Sequence, residues 1–177
     1  MPLSAPKASR SPLHHRQIRV HGYARDDGKF DIEGHLHDSK AFDFKLQSGV
    51  RPAGEPVHSM WLRITIDCTL TIVDAEASTD AMPYPGQCGQ ITPEYKKLIG
   101  MAIRPGFSNQ VKVLFGSTRG CTHITDLIGT VATTAFQTIA GQIQQDPESI
   151  PFQLNKCHAL AVNSPAVAEF YPKWYKP

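Results

Sequence analysis

The chain has 177 residues, 41% of them hydrophobic and 19% charged, with a formal net charge of +2. That size fits one domain with a closed core, and that balance excludes both a disordered chain and a strongly basic nucleic-acid binder. No apolar run approaches the roughly 20 residues that cross a bilayer, the opening stretch lacks a signal-peptide core, and Cys68, Cys88, Cys121 and Cys157 are too scattered for a disulfide framework, so a cytoplasmic protein without membrane or nucleic-acid partners is expected.

Residues 1–15 combine Pro, Ser and Lys without hydrophobic patterning and read as a flexible tail, leaving 16–177 as a single domain. Gln17-Ile18-Arg19-Val20-His21 and Lys29-Phe30-Asp31-Ile32-Glu33 alternate polar with apolar residues about Asp27-Gly28, a favoured turn pair, which predicts an antiparallel hairpin over 17–38. A looser segment over 39–56 leads to an alternating strand, Trp61-Leu62-Arg63-Ile64-Thr65-Ile66-Asp67, and to a partner strand over 70–77.

Beyond Ser78 the period changes. Thr92-Pro93-Glu94 predicts the start of a short helix that Gly100 closes, and a second short helix is expected over 108–115. The longest helix is expected over 121–142, where Ile124, Leu127, Ile128, Val131, Ala135 and Ile139 recur at helical spacing. Strands first and helices second predict an α+β fold, with an antiparallel sheet of hairpins from the N-terminal half packed against C-terminal helices.

Strand alternation puts Asp31, Glu33, His35 and His37 on one face and Ile32 and Leu36 on the other. Arg63, Thr65 and Asp67 share the polar face if the two hairpins lie in one sheet. This face reads as an acid/base or metal site or, alternatively, as the solvated side that antiparallel sheets ordinarily carry. Cys121 and His123 open the long helix, where the helix dipole and a neighbouring imidazole favour a thiolate; a cysteine buried for packing is the alternative. Cys157-His158 repeats the pairing, His58 is a candidate without a partner, and His14, His15 and His21 read as solvated.

Asp31-Ile32-Glu33-Gly34-His35-Leu36, Met60-Trp61-Leu62-Arg63-Ile64-Thr65-Ile66-Asp67, Asp74-Ala75-Glu76-Ala77, Gly120-Cys121-Thr122-His123 and Ala132-Thr133-Thr134-Ala135-Phe136-Gln137 together resemble a bacterial family, the domain of unknown function 2889. The resemblance spans about 16–171 and implies no established activity, only an association with aromatic-acid and acyl-thioester metabolism. A second likeness is to the iron–sulfur scaffold fold, whose cysteine order Cys88, Cys121 and Cys157 echo, although no Ala-Cys-Gly-Asp surrounds Cys88 and His123 follows Cys121.

These readings lead to an expected small cytosolic enzyme acting on a carboxylated or aromatic metabolite, with Glu33, His35, Arg63, Cys121 and His123 around one pocket. His35 or Glu33 would move a proton, Arg63 would hold a carboxylate, and Cys121 with His123 would bind a metal or act as nucleophile. The expected metal ligands are drawn from His35, Cys121, His123, Cys157 and His158, with zinc or iron as the cofactor. The alternatives are a non-catalytic metal or iron–sulfur scaffold using Cys88, Cys121 and Cys157, and a ligand-binding accessory protein. A pocket shared by His35 and His123 is the central expectation.

Overall fold

The Asp27-Gly28 pair turns the first hairpin because Gly28 takes a left-handed backbone, φ +76°, while the Asp27 carboxylate accepts from the Lys29 amide. In the computed structural model, which describes residues 3–142, 146 and 148–177, β1 (His14–Ala24) and β2 (Phe30–Lys40) flank this turn. β1 begins at His14, so the strand takes in the end of the segment read as tail. The looser stretch after β2 contains a short ribbon, β3 (Phe44–Leu46) with β4 (Gly49–Arg51). β5 (Pro56–Ile66) and β6 (Ile72–Ala81) complete a four-stranded antiparallel sheet in the order β1-β2-β5-β6.

The helix expected from Thr92 is instead a 3-10 segment, Cys88–Leu98, that starts four residues earlier and carries Pro93 inside it. Then follow α1 (Phe107–Phe115) and α2 (Thr122–Ile139), the second ending three residues short of the expected 142. The sheet of the N-terminal half and the helices after it make an α+β fold. Among the described residues no helix is long and apolar enough to cross a membrane.

The core is where the apolar alternation of β2 and β5 meets the stripe of α2. Ile32, Leu36, Met60, Leu62, Ile64 and Ile66 lie on one side; Ile124, Leu127, Ile128, Val131, Ala135 and Ile139 on the other, all essentially inaccessible. Full burial of such side chains contributes about 1.5–3 kcal/mol each. Gly34 lies on the same sheet face, and its lack of a side chain lets α2 approach: a Cβ there would sit 2.6 Å from Val131 Cγ2. The helix therefore covers the aliphatic face and leaves Glu33 and His35 on the opposite one.

The chain divides into two compact units, Met1–Gly141 and Gln142–Pro177. The second contains α3 (Pro165–Phe170), capped by the Ser164 hydroxyl, which accepts from the Val167 amide at 3.2 Å. Among its described residues, Leu154 and Val167 are buried.

The fit of α2 on the sheet yields two opposite expectations. Gly34→Val overpacks the Leu127–Val131 contact and should lower the unfolding free energy by about 1–3 kcal/mol. Gly129→Ala, on the open side of the same helix where an added Cβ meets nothing within 4 Å, should raise it by about 0.5–1 kcal/mol. Urea titration of each variant checks both signs.

Candidate functional site

The register that follows from the first turn sets Arg16 opposite Asp38, and the register between β2 and β5 sets Asp38 opposite His58. All three side chains lie at the end of the sheet's helix-covered face, where the aliphatic rows stop. Asp38 is only 1% exposed. Arg16 meets its carboxylate as a fork, with Nε donating to Oδ1 and Nη2 to Oδ2, both at 2.8 Å. Arg16 also reaches Asp126 of α2 at 3.2 Å.

The first turn of α2 delivers His123 to the same carboxylate. Its position is fixed by Tyr95, which is fully buried and stacked on Phe115 at 4.7 Å. The Tyr95 hydroxyl accepts from the Cys121 amide at 2.9 Å and lies within hydrogen-bond reach of the Cys121 carbonyl and the Thr125 hydroxyl. This supplies a partner to one of the amides that a helix start leaves without one. His123 Nε2 then lies 3.6 Å and His58 Nδ1 3.3 Å from Asp38 Oδ2, and the two imidazoles stack at 3.7 Å with 28° between their planes. His14 Nε2 approaches the other carboxylate oxygen at 3.4 Å.

Burial pushes the Asp38 carboxyl up, but the Arg16 fork and charge, helped by His14 and His123, outweigh it and hold the group below its ordinary value. Burial pushes His58 down to about 4, and the neighbouring His123 adds to the effect against the pull of Asp38. His123 is lowered for the same first reason, burial. Both shifts favour the neutral imidazoles, in which each ring has one nitrogen lone pair. His58 Nδ1 is buried and, although close to Asp38, makes no hydrogen bond.

The sheet separates the residues that sequence reading had grouped. His35 is on the outer face, stacked on Trp61 at 3.9 Å and bonded to the Ser59 hydroxyl at 2.9 Å. Glu33 and Arg63 are beside it, as the alternation required, and Thr65 donates to Asp31 at 2.6 Å. Arg63 is paired with Glu76 and lies 3.5 Å from Glu33, so its charge is engaged by protein carboxylates. The expectation that His35 and His123 line one pocket is corrected: the apolar stripe of α2 needs the aliphatic face, and His123 goes with it while His35 stays on the other.

Cys121 caps α2 and its Sγ lies 3.9 Å from His123 Nδ1, the nitrogen facing away from Asp38. Cys88 is half-buried at the head of its 3-10 segment. In the second unit, Cys157 is exposed and precedes the turn His158–Leu160, with His158 also exposed. Asp38, Arg16 and Tyr95 were not singled out by sequence. A signal was present only in part: the Glu33–Arg63 charge match that aligns β2 with β5 also aligns Asp38 with His58, but a two-residue Asp27-Gly28 turn would set Arg16 opposite Ser39, and it is the three-residue turn Asp26-Asp27-Gly28 that sets it opposite Asp38.

The fold and cluster define a small α+β protein with a buried carboxylate–imidazole centre at one end of its sheet. The chain belongs to a family described as a protein of unknown function (DUF2889), whose family model matches residues 14–137, from the first residue of β1 to the last turn of α2. No curated protein matches the chain, and no solved structure does.

Removing the Arg16 fork leaves Asp38 buried without its main counter-charge. Arg16→Gln should therefore destabilise the protein at pH 7 by about 2 kcal/mol, less than a fully enclosed pair would lose because Arg16 is 38% exposed. In the wild type, a lowered carboxyl pKa stabilises the fold above the unfolded value, near 3.9, and that contribution is lost as pH falls through the folded value. In the variant the Asp38 pKa rises, so the difference between the two proteins should shrink on acidification. Urea midpoints at pH 7 and pH 4 measure it.

Proposed function

We propose that this chain is a small cytosolic enzyme that performs proton-transfer chemistry on a small carboxylated or aromatic metabolite, with Asp38, His58 and His123 as its centre. The observation that carries the reading is the convergence of two neutral imidazoles on one nearly inaccessible carboxylate. Burying a charged group costs several kcal/mol unless it is paired, and a carboxylate so placed that it holds two histidines orients them as an acid/base pair. In this reading His58 or His123 moves the proton, Asp38 fixes ring orientation, and Cys121 lies against the far nitrogen of His123.

A groove between α1 and α2 supports the substrate class. It encloses about 640 Å³, with Phe107, Val111, Phe115 and Ile128 on its floor and Lys112 and Asp126 on its walls. Volumes of roughly 300–1,000 Å³ with apolar floors and few polar groups suit small organic ligands. Lys112 offers a charge for a carboxylate, and Asp126 connects the groove's wall to Arg16 and so to Asp38. The thiol-based scaffold has less support, because the ligand-type side chains that converge among the described residues of the first unit include no cysteine. The smaller outer-face pocket, about 290 Å³ around Glu33, Trp61 and Arg63, is lined by mutually paired charges.

A panel of small aromatic and aliphatic carboxylates, with their esters and thioesters, tests the proposal. His58→Ala and His123→Ala should each lower kcat/KM by about 10²–10⁴-fold on the substrate that turns over, and His35→Ala should leave it within about twofold. Turnover that survives both centre substitutions, or that depends on His35, would contradict it.

A further inference from the structure

We propose that Asp38, His58 and His123 bind one divalent transition cation, of the zinc class, through Asp38 Oδ2, His58 Nδ1 and His123 Nε2. The inference rests on reading this cluster as the functional centre and changes the part the histidines play in it: with the ion bound, both rings are ligands, and the proton-transfer role passes from them to the group in the open coordination position.

The first support is spacing. The three atoms lie within 4.8 Å of one another, and the two nitrogens are 3.3 and 3.6 Å from the shared oxygen. A tetrahedral ion with bonds of about 2.0–2.2 Å holds neighbouring ligands about 3.4 Å apart. The two rings, stacked at 3.7 Å with 28° between their planes, do not aim both lone pairs at one point, so ligation requires the stack to open by a turn of at least one ring.

The second support is the hydrogen-bond account. His58 Nδ1 is buried and unpartnered, which the great majority of buried polar atoms are not. Asp38 Oδ2 approaches it to 3.3 Å without completing a hydrogen bond, and a cation between the two would satisfy both. His123 is already divided between two roles: Nδ1 faces the Cys121 thiol and Nε2 faces Asp38, the arrangement in which one ring nitrogen is held so that the other can ligate. Arg16 holds the Asp38 carboxylate in place in the same way, donating one hydrogen bond to each oxygen.

Charge and donor type select the ion. Two imidazoles and one carboxylate suit zinc and its first-row neighbours, while magnesium and calcium prefer sites made of oxygen. Asp38 and Asp126 supply two negative charges against the one of Arg16, so a dication leaves a net positive centre that attracts an anion, either hydroxide or a substrate carboxylate. Three protein ligands leave a coordination position for that anion, the mark of a catalytic rather than a structural site. Cys121, on the far nitrogen of His123, is not a ligand in this assignment.

The untagged full chain, stripped with chelator and dialysed against Zn²⁺ and separately Co²⁺, tests the site. One ion per chain is expected. His58→Ala and His123→Ala should each weaken binding by about tenfold or more and together abolish it, whereas Cys88→Ser, Cys121→Ser and Cys157→Ser should still bind one ion. The cobalt form should show ligand-field bands without thiolate-to-metal charge transfer. Because Asp38→Asn strands the arginine charge and endangers the fold, the histidine variants carry the test, with their melting checked by circular dichroism.

Failure to bind a stoichiometric ion, binding that survives the double histidine variant, or a thiolate charge-transfer band would each overturn the proposal. If the wild type binds no ion but His58→Ala and His123→Ala still lose turnover, the cation site fails and the acid/base centre stands. If the ion binds through the histidines but turnover is indifferent to them, the cation site stands and the catalytic reading fails.

Discussion

A single carboxylate sets the organisation of this molecule. Asp38 occupies a position on the helix-covered face of the sheet that alternation would otherwise give to an aliphatic residue, and at 1% exposure it has almost no water to solvate it. A charge in that place persists only with strong partners. The fold supplies them from three separate segments: Arg16 across one strand pair, His58 across the other, and His123 from the helix above. The registers of both strand pairs and the position of the α2 N-terminus therefore meet at one group. Tyr95 holds the helix start by its hydroxyl while its ring belongs to the core, so packing and site geometry are joined through one side chain.

The two faces of the sheet then divide the chemistry. The outer face carries a ladder of ionisable groups, but those groups are engaged with one another: Arg63 with Glu76, Thr65 with Asp31, Trp61 with Asp80, His35 with Ser59. Cross-strand pairs of this kind stabilise a sheet modestly, by about 0.2–1 kcal/mol each, and need no ligand to account for them. The inner end differs because its polar groups are few, enclosed and incompletely satisfied. A buried imidazole nitrogen without a hydrogen bond, beside a carboxylate that cannot be solvated, points to chemistry more directly than a denser but exposed array.

Local structure was legible because it depends on local rules. The Asp27-Gly28 turn, the two-residue alternation of β2 and the helical spacing from Ile124 to Ile139 identified the hairpin, its faces and the stripe of α2. Alternation also placed Glu33, His35, Arg63 and Thr65 on one face. The site was legible only in part: His123 was marked by its place at a helix start, and His58 was noted without a partner. Asp38 escaped because it follows a run of polar outward residues while itself pointing inward, and a charged residue on an apolar row looks like the end of a strand. His35 was joined to His123 because a single site built from both signatures required the polar sheet face to meet the start of the long helix. The decision between the two faces lay in Gly34, whose missing side chain admits Leu127 and Val131 of α2, a tertiary fit that sequence periodicity does not encode. The early 3-10 segment Cys88–Leu98, with a proline inside it, likewise departs from the capping rule that placed a helix start at Thr92.

The central claim is that Asp38, His58 and His123 form one coupled unit from which the outer-face histidines are separate. Ring ¹⁵N titrations of all histidines, recorded for the metal-free wild type and for Asp38→Asn under conditions where both are folded, test it most directly. Asp38 pulls both inner imidazoles upward against burial. Its neutralisation should therefore lower the pKa values of His58 and His123 together and leave that of His35 in place. Titrations of His58 and His123 that ignore position 38, or a shift of His35 alongside them, would contradict the account.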